Sequence, residues 1–246
     1  MKALFSRKPL LLILLLLPHA SPAQTIVQGI GQMVDSRPRL LKIATAIDSM
    51  LPFVRGWAKP ILLDLQSECH LVADHFTKET GVSLTPIHET FELYWRIKNS
   101  KSFFQEALPE VNRDQYNRIL VLLEELALAH GFYERTRPQM IHAGMRTIGH
   151  LLEGILRHTQ SEQLKSSVTE CLLIVSEAVT ISSIGDIPAA WRKADQVHLR
   201  LKALLPELLN NRSPEAFGRA KELLALNIGY ESLTRAWRDE AGGDTK

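Results

Sequence analysis

The sequence predicts an all-α protein, a bundle of about seven to eight antiparallel-packed helices with short connections. Apolar residues recur at three- and four-residue spacing along most of the chain, and alternating strand patterns are nearly absent. Proline, glycine and small polar residues fall where such helices begin and end. We find no fixed repeat period of the kind that builds a solenoid. Amphipathic helices joined by short loops pack as neighbours around a common core.

The first three helices each carry a proline in the first turn, where the missing N–H leaves no hydrogen bond unmade. They are predicted at about Ser36–Met50, Pro60–Thr80 and Thr85–Leu108. The stripes of apolar residues on these segments predict one buried face for each helix.

The fourth helix begins near Asn112, with Gln115 three residues later as in a capping box. Between Tyr116 and Ala129 it is apolar on most sides, which predicts a place in the centre of the fold. Gly131 marks its end unless the chain stays helical to Arg137.

The last four helices begin at clear start signals. The fifth starts at Pro138, the sixth spans about Glu162–Ile181, the seventh follows Asp186 and the eighth follows Ser213 as its cap. Pro206 is expected to kink the seventh helix or to split off its last turn.

Three glycines in the fifth helix recur every five residues: Gly144, Gly149 and Gly154. This spacing places them on different faces of the helix, so we interpret them as close helix contacts rather than a phosphate-binding loop.

Residues 1–23 resemble a secretory signal peptide in their order of segments. Lys2, Arg7 and Lys8 precede the unbroken apolar run Leu10–Leu17, and small residues occupy the cleavage positions before Gln24. The run is too short to span a bilayer, which takes about 20 residues. We therefore expect a secreted or periplasmic protein whose residues 24–246 form a single helical domain, with residues 108–112 as the candidate subdomain boundary.

Charge argues against two classes of partner. The three charges of the leader are all basic, so the mature chain keeps 26 basic and 27 acidic residues. Such a balance gives no support for nucleic acid or anionic lipid as a partner. We find no mature segment apolar and long enough to cross a membrane.

The two cysteines, Cys69 and Cys171, lie on the apolar stripes of the second and sixth helices. In an oxidising compartment an even cysteine count favours a disulfide, and we predict a bond between them if the two helices pack together. The alternative is two separate buried thiols.

Asn211-Arg212-Ser213 is an N-glycosylation acceptor in a polar segment between helices. It matters only in a eukaryotic source, and Pro214 directly behind Ser213 weakens the prediction that Asn211 carries a glycan.

Several histidine and carboxylate residues are candidate metal ligands. Glu68, His70, Asp74 and His75 are close in sequence, but only His70 and Asp74 have the four-residue spacing that shares a helix face. The three-residue pairs Asp195/His198 and His150/Glu153 are isolated, whereas di-metal bundles need several such pairs. We expect no metal and no cofactor.

The fifth helix carries a polar stripe opposite its apolar face. Its residues are His142, Arg146, His150, Glu153 and Arg157. A partner-binding or pH-sensitive face is one interpretation, and a solvated face with a Glu153–Arg157 pair is the one we favour. His130 is interpreted as a satisfied, partly buried histidine.

Nucleophile elbows, Walker loops and dinucleotide glycine patterns are not found, so no catalytic residue is predicted. The leading hypothesis is an exported, non-catalytic helical binding protein that recognises another protein or an apolar small molecule. The alternatives are a helical carrier of an apolar ligand or lipid and, third, a helical metalloenzyme.

Overall fold

The computed structural model describes residues 36–78 and 85–243, so the predicted leader lies outside the described residues. Within those ranges the chain forms nine α-helices and three short 3₁₀ turns, with no strand, which confirms the all-α prediction. None of these helices combines the length and the apolar character needed to cross a bilayer.

The helices follow the predicted order with short connections. Their bounds are α1 Ser36–Met50, α2 Lys59–Lys78, α3 Thr85–Asn99, α4 Lys101–Ala107, α5 Arg113–His130, α6 Arg137–His158, α7 Glu162–Ser183, α8 Ile187–Leu208 and α9 Pro214–Gly243.

Local signals explain most of the helix ends. Gly131 ends α5 with φ 62°, a left-handed conformation that glycine adopts without a Cβ clash. Thr136 begins α6 in a capping box with Gln139, which satisfies two backbone N–H groups. The Asp186 carboxylate accepts from the backbone N–H of Ala189 at the start of α8.

Two local predictions were wrong. The predicted third helix is divided into α3 and α4 at Ser100, a buried residue whose hydroxyl donates to Glu222 Oε1 across 3.2 Å. Asn112 makes no side-chain cap, so the predicted capping box at α5 is not formed. Of the two outcomes expected at Pro206, a split-off last turn is not seen, because α8 continues through Pro206 to Leu208.

The central helix is α6, not α5. α6 packs against α3, α7, α8 and α9, and it buries ten of its residues. α5 packs mainly on α1 and α3 and leaves Val121 and Leu128 60% and 73% exposed. The prediction from the apolar circumference of α5 was wrong, because apolar content alone does not supply neighbouring helices.

Glycines let other helices approach α6 closely. A Cβ on Gly144 would lie 2.9 Å from the Trp95 ring of α3, and one on Gly149 would lie 3.3 Å from Val175 of α7. A Cβ on Gly154 would lie 2.1 Å from Arg219 Nε of α9. The three glycines contact three different helices, which confirms the interpretation from their spacing.

Helices that precede residues 108–112 pack against helices that follow them. α2 packs between α1 and α3, α7 lies between α6 and α8, and α9 returns to contact α6, α8 and α2. Helices on both sides of residues 108–112 are therefore in contact. A cleft remains between the pair α2 and α3 and the pair α6 and α7.

Candidate functional site

The cleft between α2, α3, α6 and α7 has a volume of about 510 Å³. Small-molecule sites in proteins fall in the same range, about 300–1,000 Å³. All four helices contribute apolar side chains to its walls. These residues are Leu71, Val72, Leu93, Met145, Leu172, Val175 and Val179.

Arg96 of α3 reaches the cleft from a buried position. Its Nε and Nη2 each donate to a different oxygen of Glu222 across 2.8 Å, and its Nη1 donates to Glu68 Oε1 across 2.6 Å. Burial works to lower the pKa of Arg96, but Glu222 and Glu68 outweigh it and raise that pKa above its usual value. The guanidinium therefore stays charged, and its fork geometry fixes α3 to α9 and α2.

A second guanidinium completes this buried network. Arg219 Nη2 of α9 donates to Asp64 Oδ2 of α2 across 2.6 Å. His150 Nε2 of α6 lies 3.4 Å from Glu68 Oε1 and 3.7 Å from Asp64 Oδ2. Burial favours a higher pKa for Asp64, but His150, Arg219 and Arg96 outweigh it and lower that pKa. The network thus joins α2, α3, α6 and α9 at one wall of the cleft, which Glu68, Arg96 and His150 line.

The mouth of the cleft carries further charged side chains. Arg146 Nε of α6 lies 3.2 Å from Glu92 Oε1 of α3, and His75 Nδ1 lies 2.6 Å from Glu89 Oε2. Burial raises the pKa of Glu92, although the nearby Arg146 opposes that rise. Glu153 lines the cleft and is exposed, and within the described part of the chain its carboxylate makes no hydrogen bond or ion pair.

The polar stripe of α6 is only partly the solvated face that we favoured. Arg146, His150 and Glu153 line the cleft, and His142 is half-buried with its Nδ1 3.1 Å from Ser182 Oγ of α7. Arg157 Nε reaches the backbone oxygen of Glu153 rather than its carboxylate. The stripe therefore provides one side of the cleft, although helical spacing alone does not distinguish a cleft wall from a solvated face.

The candidate metal ligands are not brought together. In the described ranges, no group of three or more histidine, cysteine, aspartate or glutamate side chains is placed to hold a metal ion. His75 instead contacts Glu89, and His198 Nε2 lies 3.0 Å from Glu231 Oε1.

Both cysteines are free thiols in the structure, and both are fully buried. Cys69 faces inward from α2 and Cys171 from α7, as the apolar stripes predict. Burial raises the pKa of both thiols, that of Cys171 to about 11. The predicted Cys69–Cys171 bond is therefore not seen, and the structure has the alternative of two buried thiols.

The predicted glycan acceptor has a structural role. Asn211 Nδ2 donates to Thr159 Oγ1 across 3.2 Å, and Asn211 Oδ1 accepts from the backbone N–H of Ser213. A glycan on this amide would have to share the nitrogen that contacts Thr159, so the prediction of glycosylation gains no support from this geometry.

His130 is a half-buried histidine at the end of α5. Its ring stacks between Phe76 and Phe132, and its Nε2 lies 2.5 Å from Ser36 Oγ. These contacts confirm the interpretation of a satisfied histidine. Burial, aided by Arg135 and Arg39, lowers the pKa of His130 from 6.5 to about 4.

This lowered pKa makes stability depend on pH. Between pH 6.5 and pH 4 the unfolded chain binds a proton at His130 that the folded chain does not, so stability falls as pH falls through this range. Urea unfolding measures this effect. When the pH is lowered from about pH 7 to pH 4.5, we expect the free energy of unfolding of the His130→Gln variant to fall by roughly 1–2 kcal/mol less than that of the wild type. Equal losses in the two proteins would contradict the assignment.

Comparison with protein-family models, with curated proteins and with solved structures finds no match for this chain.

Proposed function

We propose that the protein is an exported, non-catalytic binding protein that holds a small amphipathic ligand in the cleft between α2, α3, α6 and α7. The observation that carries this proposal is the cleft of about 510 Å³, with apolar side chains on its walls and charged side chains beside them. Such a combination lets apolar contacts supply affinity while a few polar groups orient the ligand.

The polar groups in the cleft favour recognition over catalysis. The Thr147 and Thr180 hydroxyls donate to backbone oxygens of their own helices, at Ala143 and Ser176. A hydroxyl nucleophile needs an adjacent base to activate it, and neither threonine is hydrogen-bonded to one. Glu92 and Arg96 are already engaged by opposite charges, which fixes them as walls of the site.

The charged rim favours an amphipathic ligand over a wholly apolar one. A hydrocarbon that filled the cleft would cover charged side chains such as Glu92 and Arg146 without offering them hydrogen bonds, which costs free energy. A ligand with a polar end avoids this cost.

Binding can be tested with N-phenylnaphthylamine, a neutral probe whose fluorescence increases in apolar surroundings. We expect saturable binding of one probe per chain. The Ser176→Trp variant, which places an indole in the cleft from an exposed position on α7, should weaken binding at least about tenfold.

The matched control is Ser166→Trp, an exposed serine on the same helix that does not line the cleft. It should bind the probe as the wild type does. Absence of saturable binding in the wild type, or equal loss in both variants, would refute the proposal.

The exported location is tested separately. When the full chain is expressed in a cell with a secretory pathway, the protein recovered outside the cytosol should begin at Gln24 by N-terminal sequencing. Recovery in the cytosol with residues 1–23 still attached would contradict export.

A further inference from the structure

The charges around the cleft do not balance. Three guanidinium groups, those of Arg96, Arg146 and Arg219, line the cleft or its supporting network. Six carboxylates surround them: Asp64, Glu68, Glu89, Glu92, Glu153 and Glu222. With His75 and His150 neutral the site has a surplus of three negative charges, and with both protonated the surplus is one.

Each of the three guanidinium groups already has a carboxylate partner. Arg96 contacts Glu222 and Glu68, Arg219 contacts Asp64, and Arg146 contacts Glu92. An anionic ligand that bound Arg96 or Arg219 would have to displace the carboxylate partner of that cation. In the buried pairs this would leave a carboxylate without compensation, which is costly. Arg146 is exposed and contacts Glu92 through Nε alone, so it keeps free N–H donors, and there only the surplus of carboxylates opposes an anion.

Glu153 is different from the other carboxylates of the cleft, because its carboxylate makes no hydrogen bond or ion pair with any other described side chain; Arg157, one turn further along α6, contacts only its backbone oxygen. It lies on α6 seven residues beyond Arg146, a separation of about 10 Å along the helix axis. On the facing helix, Leu172 and Val175 supply an apolar surface to the same cleft. The cleft thus has apolar side chains on α7 and one carboxylate on α6 with unused hydrogen-bond acceptors.

We propose that the ligand of the cleft is an organic cation, an amine or guanidine attached to an apolar body, which places its charge beside Glu153 and its body against α7. The inference rests on the proposed function and names its ligand class. Apolar contact supplies the affinity, and the carboxylate surplus selects the sign of the charge.

The behaviour of Glu92 agrees with this surplus. Burial raises the pKa of Glu92, Arg146 opposes that rise, and the neighbouring carboxylates Glu89 and Glu68 add smaller increases. Several carboxylates therefore repel one another across this cleft, and a bound cation relieves that repulsion.

The test uses three naphthalene compounds with similar apolar bodies and different charges: naphthylmethylamine, naphthalenemethanol and naphthoate. Binding is measured by displacement of N-phenylnaphthylamine at neutral pH and low salt. We expect the amine to bind about fivefold more tightly than the alcohol, and the naphthoate to bind more weakly than both. Raising the salt to about 0.5 M should reduce the preference for the amine.

The Glu153→Gln variant separates charge from shape. It should reduce the affinity for the amine about fivefold and leave the affinity for the alcohol unchanged. Glu207→Gln removes an exposed carboxylate of α8 that does not line the cleft, and it should change neither the affinity for the amine nor that for the alcohol. Thermal unfolding of both variants checks that the fold is retained.

The outcomes distinguish the two proposals. If N-phenylnaphthylamine binds but the alcohol or the naphthoate binds as tightly as the amine, or Glu153→Gln has no effect, the cation inference fails and the binding function stands. If N-phenylnaphthylamine does not bind, the binding function fails, and the cation inference, which rests on it, fails as well.

Discussion

Glu222→Gln is expected to lower the free energy of unfolding by about 3 kcal/mol, measured by urea unfolding at neutral pH. Glu222 is fully buried, and both of its oxygens accept from Arg96, which is itself only 2% exposed. Glutamine keeps the volume but removes the charge, so Arg96 remains charged in the core with Glu68 as its nearest carboxylate. The large cost arises because the buried cation loses its fully buried carboxylate and keeps only the partly exposed Glu68, rather than from a single lost hydrogen bond.

The matched control is Glu125→Gln, which breaks an ion pair with Arg39 between partly exposed side chains. Exposed pairs contribute about 0–1 kcal/mol, so the control should be close to the wild type. The double variant Arg96→Met/Glu222→Leu should be less destabilised than Glu222→Gln, because it leaves no unpaired partner of this pair in the core. If Glu222→Gln and Glu125→Gln lowered the free energy of unfolding equally, the buried pair would contribute no more to stability than the partly exposed pair.

Local sequence signals predict the helices of this protein well. Gly131, Pro138 and Asp186 each act on the backbone within a few residues, so their effect does not depend on the rest of the fold. The same holds for the glycines of α6, whose spacing alone separates them onto different faces.

The buried network could not be predicted in this way. Arg96 and Glu222 are 126 residues apart, and a glutamate in a helix is normally solvated. Nothing in the residues next to Glu222 distinguishes it from the surface carboxylates of the same chain. The cleft could not be predicted either, because its walls come from two helix pairs whose relative position depends on tertiary packing.

The wrong prediction that α5 is the central helix has a related cause. The prediction for α5 rested on how much of its circumference is apolar, yet Val121 and Leu128 remain exposed. α6 has a narrower apolar stripe, but its glycines let three helices approach its backbone. The number of neighbours that a helix gains therefore depends on how close they can come as well as on hydrophobicity.

Gly218→Ala carries the second large expected effect, and it tests this close packing directly. A Cβ at Gly218 of α9 would lie 2.2 Å from the backbone oxygen of Trp57 and 3.2 Å from Ile61 Cγ1. Alanine improves helix propensity by about 1 kcal/mol, but a backbone oxygen cannot rotate away as a side chain can, so α9 or the turn Gly56–Ala58 has to move. We expect a net loss of roughly 2–3 kcal/mol in urea unfolding.

Gly56→Ala provides the control within the same turn, one residue before Trp57. A Cβ there meets no atom within 4 Å, so the change should be neutral or slightly stabilising. The contrast separates the general effect of replacing glycine by alanine from the effect of filling one helix contact. If both variants had the stability of the wild type, α9 could not pack on Trp57 as closely as described, and the position of Glu222 one turn further along α9 would also have to be revised. The two predictions therefore test the same helix at adjacent turns, one through charge and the other through volume.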